Sequence, residues 1–192
     1  LHYPLRRQRQ MCIRDRKTTV FNIVTGYYTP AAGDVLVDGT SVLGKRPYKI
    51  ARAGLARTFQ NIRLFEEMTA LENVATAADA LNRSGLVGSL VGIPRSRKDE
   101  ARSMDKAHEL LTFIGLDHRA HQLAKNLPYG DQRRLEIARA LALQPKVLLL
   151  DEPAAGFNPQ EKVELGNLIL KIRDNGNAVL LIEHDMSLVM KI

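Results

Sequence analysis

The chain has 192 residues, 45% of them apolar, and a formal net charge of +7, which suits one domain or one domain with an inserted subdomain. Its single cysteine, Cys12, excludes a disulfide framework and fits a reducing cytosol, and no stretch reaches the roughly 18 consecutive apolar residues of a membrane-spanning helix, so any membrane link would come through a partner protein. Five arginines against one aspartate give residues 1–16 a net +4, leaving +3 for the other 176; the basicity belongs to the front end and does not mark a nucleic-acid-binding surface.

Residues 1–16 show neither strand nor helix periodicity, and no apolar run that would make a secretory signal. From Lys17 the pattern becomes regular. Residues 17–25 read as a helix with Val20, Phe21, Ile23 and Val24 available for burial, ended by Gly26. Residues 35–37 read as a short strand before the turn pair Asp38-Gly39. A short helix over 47–53 and a strand over 55–59 follow. Thr69 and Glu72 make a capping-box pattern ahead of a helix reaching about Asn82. Gly85, Gly88, Gly92 and Pro94 mark an irregular connection. Residues 99–114 put Met104, Ala107, Leu111 and Ile114 on one helical face, and Gly115 stops that helix. Alternation of helix and strand then returns: a helix over 131–143, a strand over 147–150, a helix over 160–173, a strand over 178–182, and a helix beginning at Met186. Both of these strands are continuous apolar runs, as in a parallel sheet covered on both faces.

Three segments carry candidate chemistry. Leu148-Leu149-Leu150-Asp151-Glu152-Pro153 ends an apolar strand with two carboxylates, at the strand edge where parallel α/β sheets bind ligands. Asp151 is placed to hold Mg2+, which takes a few carboxylates alongside phosphate oxygens. Glu152 is placed to polarise a water for attack on phosphorus. The next strand ends in Ile182-Glu183-His184-Asp185, so His184 reaches the same edge and can orient that water. Leu127-Pro128-Tyr129-Gly130-Asp131-Gln132-Arg133-Arg134 opens a helix, whose first N–H groups favour an anion. Taken singly, each has a plainer account: an acidic turn, a surface histidine, a Pro-Tyr-Gly turn. Their order and spacing argue against that.

The succession of Lys17-Thr18-Thr19, Thr58-Phe59-Gln60, 127–134, 150–153 and His184 resembles an ATP-binding cassette (ABC) ATPase over residues 17–192. The resemblance makes these the end of Walker A, the Q-loop, the signature, Walker B and the switch histidine, with 154–159 as the D-loop. Residues 56–65, 68–73, 129–136 and 154–159 resemble the branched-chain amino acid importer subunits. Pro128 stands where the generic signature has serine, which removes a hydroxyl donor.

What the resemblance implies is specific. The fold is an α/β P-loop NTPase (RecA-like) core with a mostly parallel sheet and an inserted α-helical subdomain. The core would comprise 17–62 and 128–192, and the helical subdomain 63–127. ATP and Mg2+ are the cofactors. Lys17, Thr18 and Thr19 would serve phosphates; Thr18, Gln60 and Asp151 would serve Mg2+; Glu152, His184 and Gln60 would be catalytic. Tyr129, Gly130, Asp131 and Gln132 would contact the ATP held by a second ABC subunit, in a homo- or heterodimer. Transmembrane permease subunits would receive the helical insert, and a periplasmic or extracellular solute-binding protein would deliver the solute, with no nucleic acid involved. The location implied is peripheral, on the cytoplasmic face of the inner membrane. The alternatives are import of another small solute such as urea or an amide, a nucleic-acid- or ribosome-associated ABC ATPase, and a non-catalytic cassette.

The chain departs from the family at one motif. A phosphate loop reads G-x-x-x-x-G-K-[ST] so that backbone N–H groups wrap the phosphates. Here its glycine positions hold Met11 and Arg16, and no glycine precedes Gly26. Residues 1–16 are therefore expected to be non-native, since residues 11–16 resemble translated adapter sequence, and the rest an internal fragment. As written, the chain is expected to bind ATP poorly, the ATPase activity being expected of the intact protein; the alternative to a non-native front end is a degenerate family member.

Overall fold

The computed structural model describes residues 17–80 and 94–192. It begins with helix α1 (residues 17–24), which buries Phe21. Strands β1 (Leu36–Val37) and β2 (Thr40–Ser41) pair antiparallel. Asp38 and Gly39 both take positive φ, 52° and 73°, the geometry of a two-residue hairpin turn. The Asp-Gly pair was legible in the sequence; its second strand was not, because two residues are too few to show alternation.

Helix α2 (Pro47–Arg52) starts with proline in its first turn, where no amide is needed. Strand β3 (Leu55–Arg57) follows. It is two residues shorter than expected, although Thr58 N–H still donates to the Leu149 carbonyl at 2.9 Å. Helix α3 (Ala70–Asp79) opens with the predicted capping box, Thr69 and Glu72 satisfying each other's amides. Helix α4 (Pro94–Ile114) starts five residues before the expected boundary. Proline fits a helix's first position as readily as it fits a loop, so Pro94 belongs to the helix although its sequence context reads equally as connection. The expectations placed on residues 1–16, Asn82, Gly85, Gly88 and Gly92 lie outside the described residues. Two short 3-10 turns (Asp117–Arg119 and Ala124–Asn126) lead to α5 (Tyr129–Ala142).

Strand β4 (Val147–Asp151), helix α6 (Pro159–Asp174), strand β5 (Ala178–Ile182) and helix α7 (Met186–Val189) complete the order. The main sheet runs β3-β4-β5, all parallel, with Arg57 opposite Leu149 and Asp151 opposite Ile182. Strand β4 is therefore central, and its side chains alternate between two layers. Leu148 and Leu150 enter a large cluster with Leu111, Leu135, Ile137 and Ile172. Leu149 enters a second cluster with Phe21, Val37, Val42, Ile50 and Leu55. This double covering holds the carboxyl ends of three parallel strands in fixed register. Among the described residues no helix is long and apolar enough to cross a membrane.

Candidate functional site

Asp151 is the last residue of β4, and its side chain is buried at 2% exposure. Its Oδ2 accepts from Arg57 Nη2 at 2.8 Å. Arg57 ends the neighbouring strand, and its Nη1 donates to Asn22 Oδ1 at 2.7 Å and to Thr25 Oγ1 at 3.2 Å. The guanidinium lies between the rings of Phe21 and Phe59, 5.4 and 5.2 Å from their centroids. Arg57 thus joins α1 to the acidic strand end. Sequence reasoning did not single it out; the available signal was one charge at the end of the otherwise apolar Leu55-Ala56.

Glu152 takes a left-handed backbone, φ 47°, uncommon for a residue with a Cβ. That turn aims its carboxylate across the strand ends. Gln60 Nε2 stands 3.5 Å from Glu152 Oε2, and His184 Nδ1 stands 3.7 Å from Glu152 Oε1. Gln60 and His184 thus approach the Glu152 carboxylate from two other segments, His184 Nδ1 standing nearer still to Glu183 Oε1, at 3.3 Å.

Glu183 supports this meeting from beneath. Its side chain is 1% exposed. Oε1 accepts from the amides of His184 at 2.8 Å and Asp185 at 3.1 Å, and Oε2 accepts from the Ala154 amide at 3.3 Å. One buried carboxylate so ties the turn after β4 to the turn after β5. Asp185 then caps α7 through Ser187. Lys162 Nζ, 2.5 Å away, and the Ser187 hydroxyl hold the Asp185 carboxyl well below the usual range.

A cavity of about 300 Å³ opens beside these strand ends. Thr18, Gln60 and Asp151 all line it, together with Arg57, Phe59 and Arg63. Hydroxyl, amide and carboxylate oxygens form a hard donor set that fits Mg2+, and the two guanidinium groups fit phosphate oxygens. A larger cavity, about 440 Å³, is lined by Lys106, Phe113, Leu141, Gln144 and Asn177. It sits at the amino ends of β4 and β5, away from the carboxylates. Ligands of parallel sheets gather at the carboxyl ends, so the smaller cavity is the candidate.

Glu152 and His184 stand at the strand ends next to it and are not among its lining residues, and the other predicted residues lie apart from it. Lys17 and Thr19 are exposed on α1. Tyr129, Gly130, Asp131 and Gln132 form the start of α5 and do not line the cavity. Pro128 there makes no side-chain cap. Asp131 pairs with Arg119 at 3.2 Å, and Gln132 Nε2 donates to the Leu127 carbonyl at 2.9 Å. A Cβ on Gly130 would stand 2.9 Å from Glu161 Oε1, so the close approach that glycine permits here is to this chain's own α6.

A parallel α/β core with acidic and histidine-bearing strand ends, a ligand cavity beside them and a helical layer above is the architecture of a nucleotide-binding cassette. The family model described as ABC transporter matches residues 17–155. The chain belongs to that family. It is 49% identical over 177 residues to the high-affinity branched-chain amino acid transport ATP-binding protein LivG of Escherichia coli (strain K12), covering 92% of this chain and 69% of that protein. To the protein of the same description called BraF, of Pseudomonas aeruginosa, it is 48% identical over the same shares. Among solved structures it resembles MJ1267, an ATP-binding cassette of an ABC transporter, with a TM-score of 0.75 and 31% identity, covering 91% of this chain and 68% of that one. The fold is accordingly the mixed α/β cassette fold with a helical layer.

Proposed function

We propose that this protein binds and hydrolyses ATP to energise a transporter that imports branched-chain amino acids. Its relatives are described as branched-chain amino acid transport ATP-binding proteins, and the approach of Gln60 and His184 to Glu152, next to Asp151, is the observation that supports the chemistry. In this reading Glu152 holds and polarises the attacking water, and His184 and Gln60 fix its direction. Thr18, Gln60 and Asp151 would hold Mg2+, which neutralises phosphate charge when bound. Lys17, Thr18 and Thr19 serve the phosphates. Tyr129, Gly130, Asp131 and Gln132 serve the nucleotide of a second cassette subunit. Permease subunits hold the pair at the cytoplasmic face of the membrane, and a solute-binding protein supplies the cargo. Arg57 must share Asp151 with the metal or release it.

A second reading is a cassette that does not hydrolyse ATP. One observation favours it: no glycine stands before Gly26, so the expected phosphate loop has side chains at both glycine positions.

The test is MgATP binding by the full chain in equilibrium dialysis, with phosphate release measured on the same samples. Glu152→Gln is expected to keep binding and to lower release by about 100-fold or more. Weak binding, or binding without release, in the parent chain would favour the second reading, and release left unchanged by Glu152→Gln would overturn the catalytic assignment. In reconstituted transporter, uptake of labelled leucine but not urea supports the proposed solute, and the reverse overturns it.

A further inference from the structure

Helix α5 carries two buried charged side chains that the proposed chemistry does not use. Arg133 is 4% exposed and Glu136 6%, and Nη1 of the one lies 3.4 Å from Oε2 of the other. Such a pair adds little stability by itself, because desolvation offsets the attraction. What distinguishes this pair is the destination of its other hydrogen bonds. Glu136 Oε1 accepts from the Phe59 amide at 3.0 Å. Arg133 Nη1 donates to the Phe59 carbonyl at 2.8 Å, and Nη2 donates to the Gln60 carbonyl. The backbone of Phe59 and Gln60 is so held by one helix. Further along that helix, Arg139 donates to the Arg63 carbonyl and lies 4.8 Å from the centroid of the Phe65 ring.

Arg133 also bonds toward the start of its own helix. Nε and Nη2 donate to Tyr129 Oη at 3.1 and 3.0 Å. The Tyr129 ring stands edge-on to Phe157, centroids 6.3 Å apart. Gly156 lies against the same ring, where a Cβ would stand 3.2 Å from Cε1. Phe157 and Gly156 belong to the turn that follows Glu152. One guanidinium therefore fastens the Gln60 backbone to the ring that packs on that turn.

We infer that Arg133 is a positioning residue that couples Gln60 to Tyr129 and, through it, to the 154–158 turn, with Glu136 fixing its register. The inference rests on the proposed roles of Gln60 and of the α5 start. A planar fork of five donors can serve carbonyls on one side and a hydroxyl on the other at once, which a lysine ammonium does poorly. Because the bonds reach backbone, the Gln60 segment cannot shift without drawing α5 or breaking charge-assisted bonds. A displacement of Gln60 at one nucleotide is thereby carried to Tyr129, the residue offered to the other subunit's nucleotide.

Continuity of contacts is not coupling, so the test is a double-mutant cycle. It reads amide hydrogen exchange in the full chain without nucleotide, and its outcome is independent of hydrolysis. Tyr129→Phe keeps the ring against Phe157 and removes the acceptor. Arg133→Gln is expected to speed exchange at Phe59 and also at Ala155 and Phe157, by about tenfold. Tyr129→Phe is expected to speed Ala155 and Phe157 alone, and the double variant no further there than either single one. The Leu149-paired amide of Thr58 should exchange unchanged, which reports an intact sheet. Effects confined to Phe59, or effects that add at Ala155 and Phe157, overturn the inference. If Arg133→Gln does not fold, Arg133→Lys, whose ammonium cannot serve both sides at once, takes its place in the cycle with the same expected pattern. Absence of ATP hydrolysis in the parent chain would sink the functional reading and leave the exchange result standing.

Discussion

Glu136 is a carboxyl pulled two ways. Burial pushes its pKa up from 4.5, and the Phe59 amide and the Arg133 guanidinium pull back without cancelling that shift. An acid raised in the folded state holds its proton more tightly there than in the unfolded chain. The stability it contributes is full below about 4.5 and is lost as pH rises through the raised folded value. Glu136→Gln keeps an oxygen for the Phe59 amide and cannot ionise. The difference in Tm, variant minus parent, should therefore grow more positive from about pH 4 to about pH 7 in thermal melts. A flat difference would mean that Arg133 compensates the burial in full. Burial also lowers the pKa of Arg139 on the same helix, with Glu136 opposing that shift. Arg133 and Glu136 of α5 thus lie inside, and with the half-buried Arg139 they reach the 59–63 backbone.

At the scale of elements, helix starts decide where the site segments lie. The turn from Glu152 to Asn158 ends because Asn158 accepts from the Glu161 amide at 2.9 Å while Glu161 accepts from the Asn158 amide at 2.8 Å. Pro159 supplies the first helical φ without needing an amide partner. This box stops α6 from unwinding into the turn that carries Phe157. Asn158→Ala should cost about 1 kcal/mol in urea denaturation, the usual value of a lost cap. A loss of only a few tenths would show that Pro159 alone sets the start. The equivalent box at Thr69 and Glu72 fixes α3, and an isolated bridge from Thr69 to Leu123 ties it to the loop before α5.

Across the whole molecule, stability passes through β4. Its alternating leucines enter two layers that share few other residues. Leu149 is fully buried against Phe21 and Ile50, and Leu148 against the helical side. Replacing either by alanine should cost about 2–5 kcal/mol. Both should lower one cooperative transition, because neither layer can lose the shared strand and persist. Calorimetry resolving two separate transitions in Leu149→Ala would show that the α1–β1–β2 layer unfolds on its own.

Much of this protein could be read from the order of its residues. A capping box marked the helix from Thr69 toward about Asn82, local periodicity marked those over 99–114 and 160–173, and the continuous apolar runs marked β4 and β5, since each element must bury its own face. The Asp151-Glu152 pair at a strand end pointed to a phosphate and Mg2+ site for the same local reason, and His184 pointed to the same edge. Only the tertiary structure decided which residues meet. Arg57 and Asp151 pair across 94 positions of chain, and Gln60 reaches Glu152 across 92. Their meeting follows from β3 lying beside β4, and no periodicity encodes a neighbour at that distance. Arg133 and Glu136 carry no signal of burial in the sequence; in the fold they are buried against Phe59 and Gln60. A charge's role depends on what packs over it, and that is settled only when the helices close on the sheet.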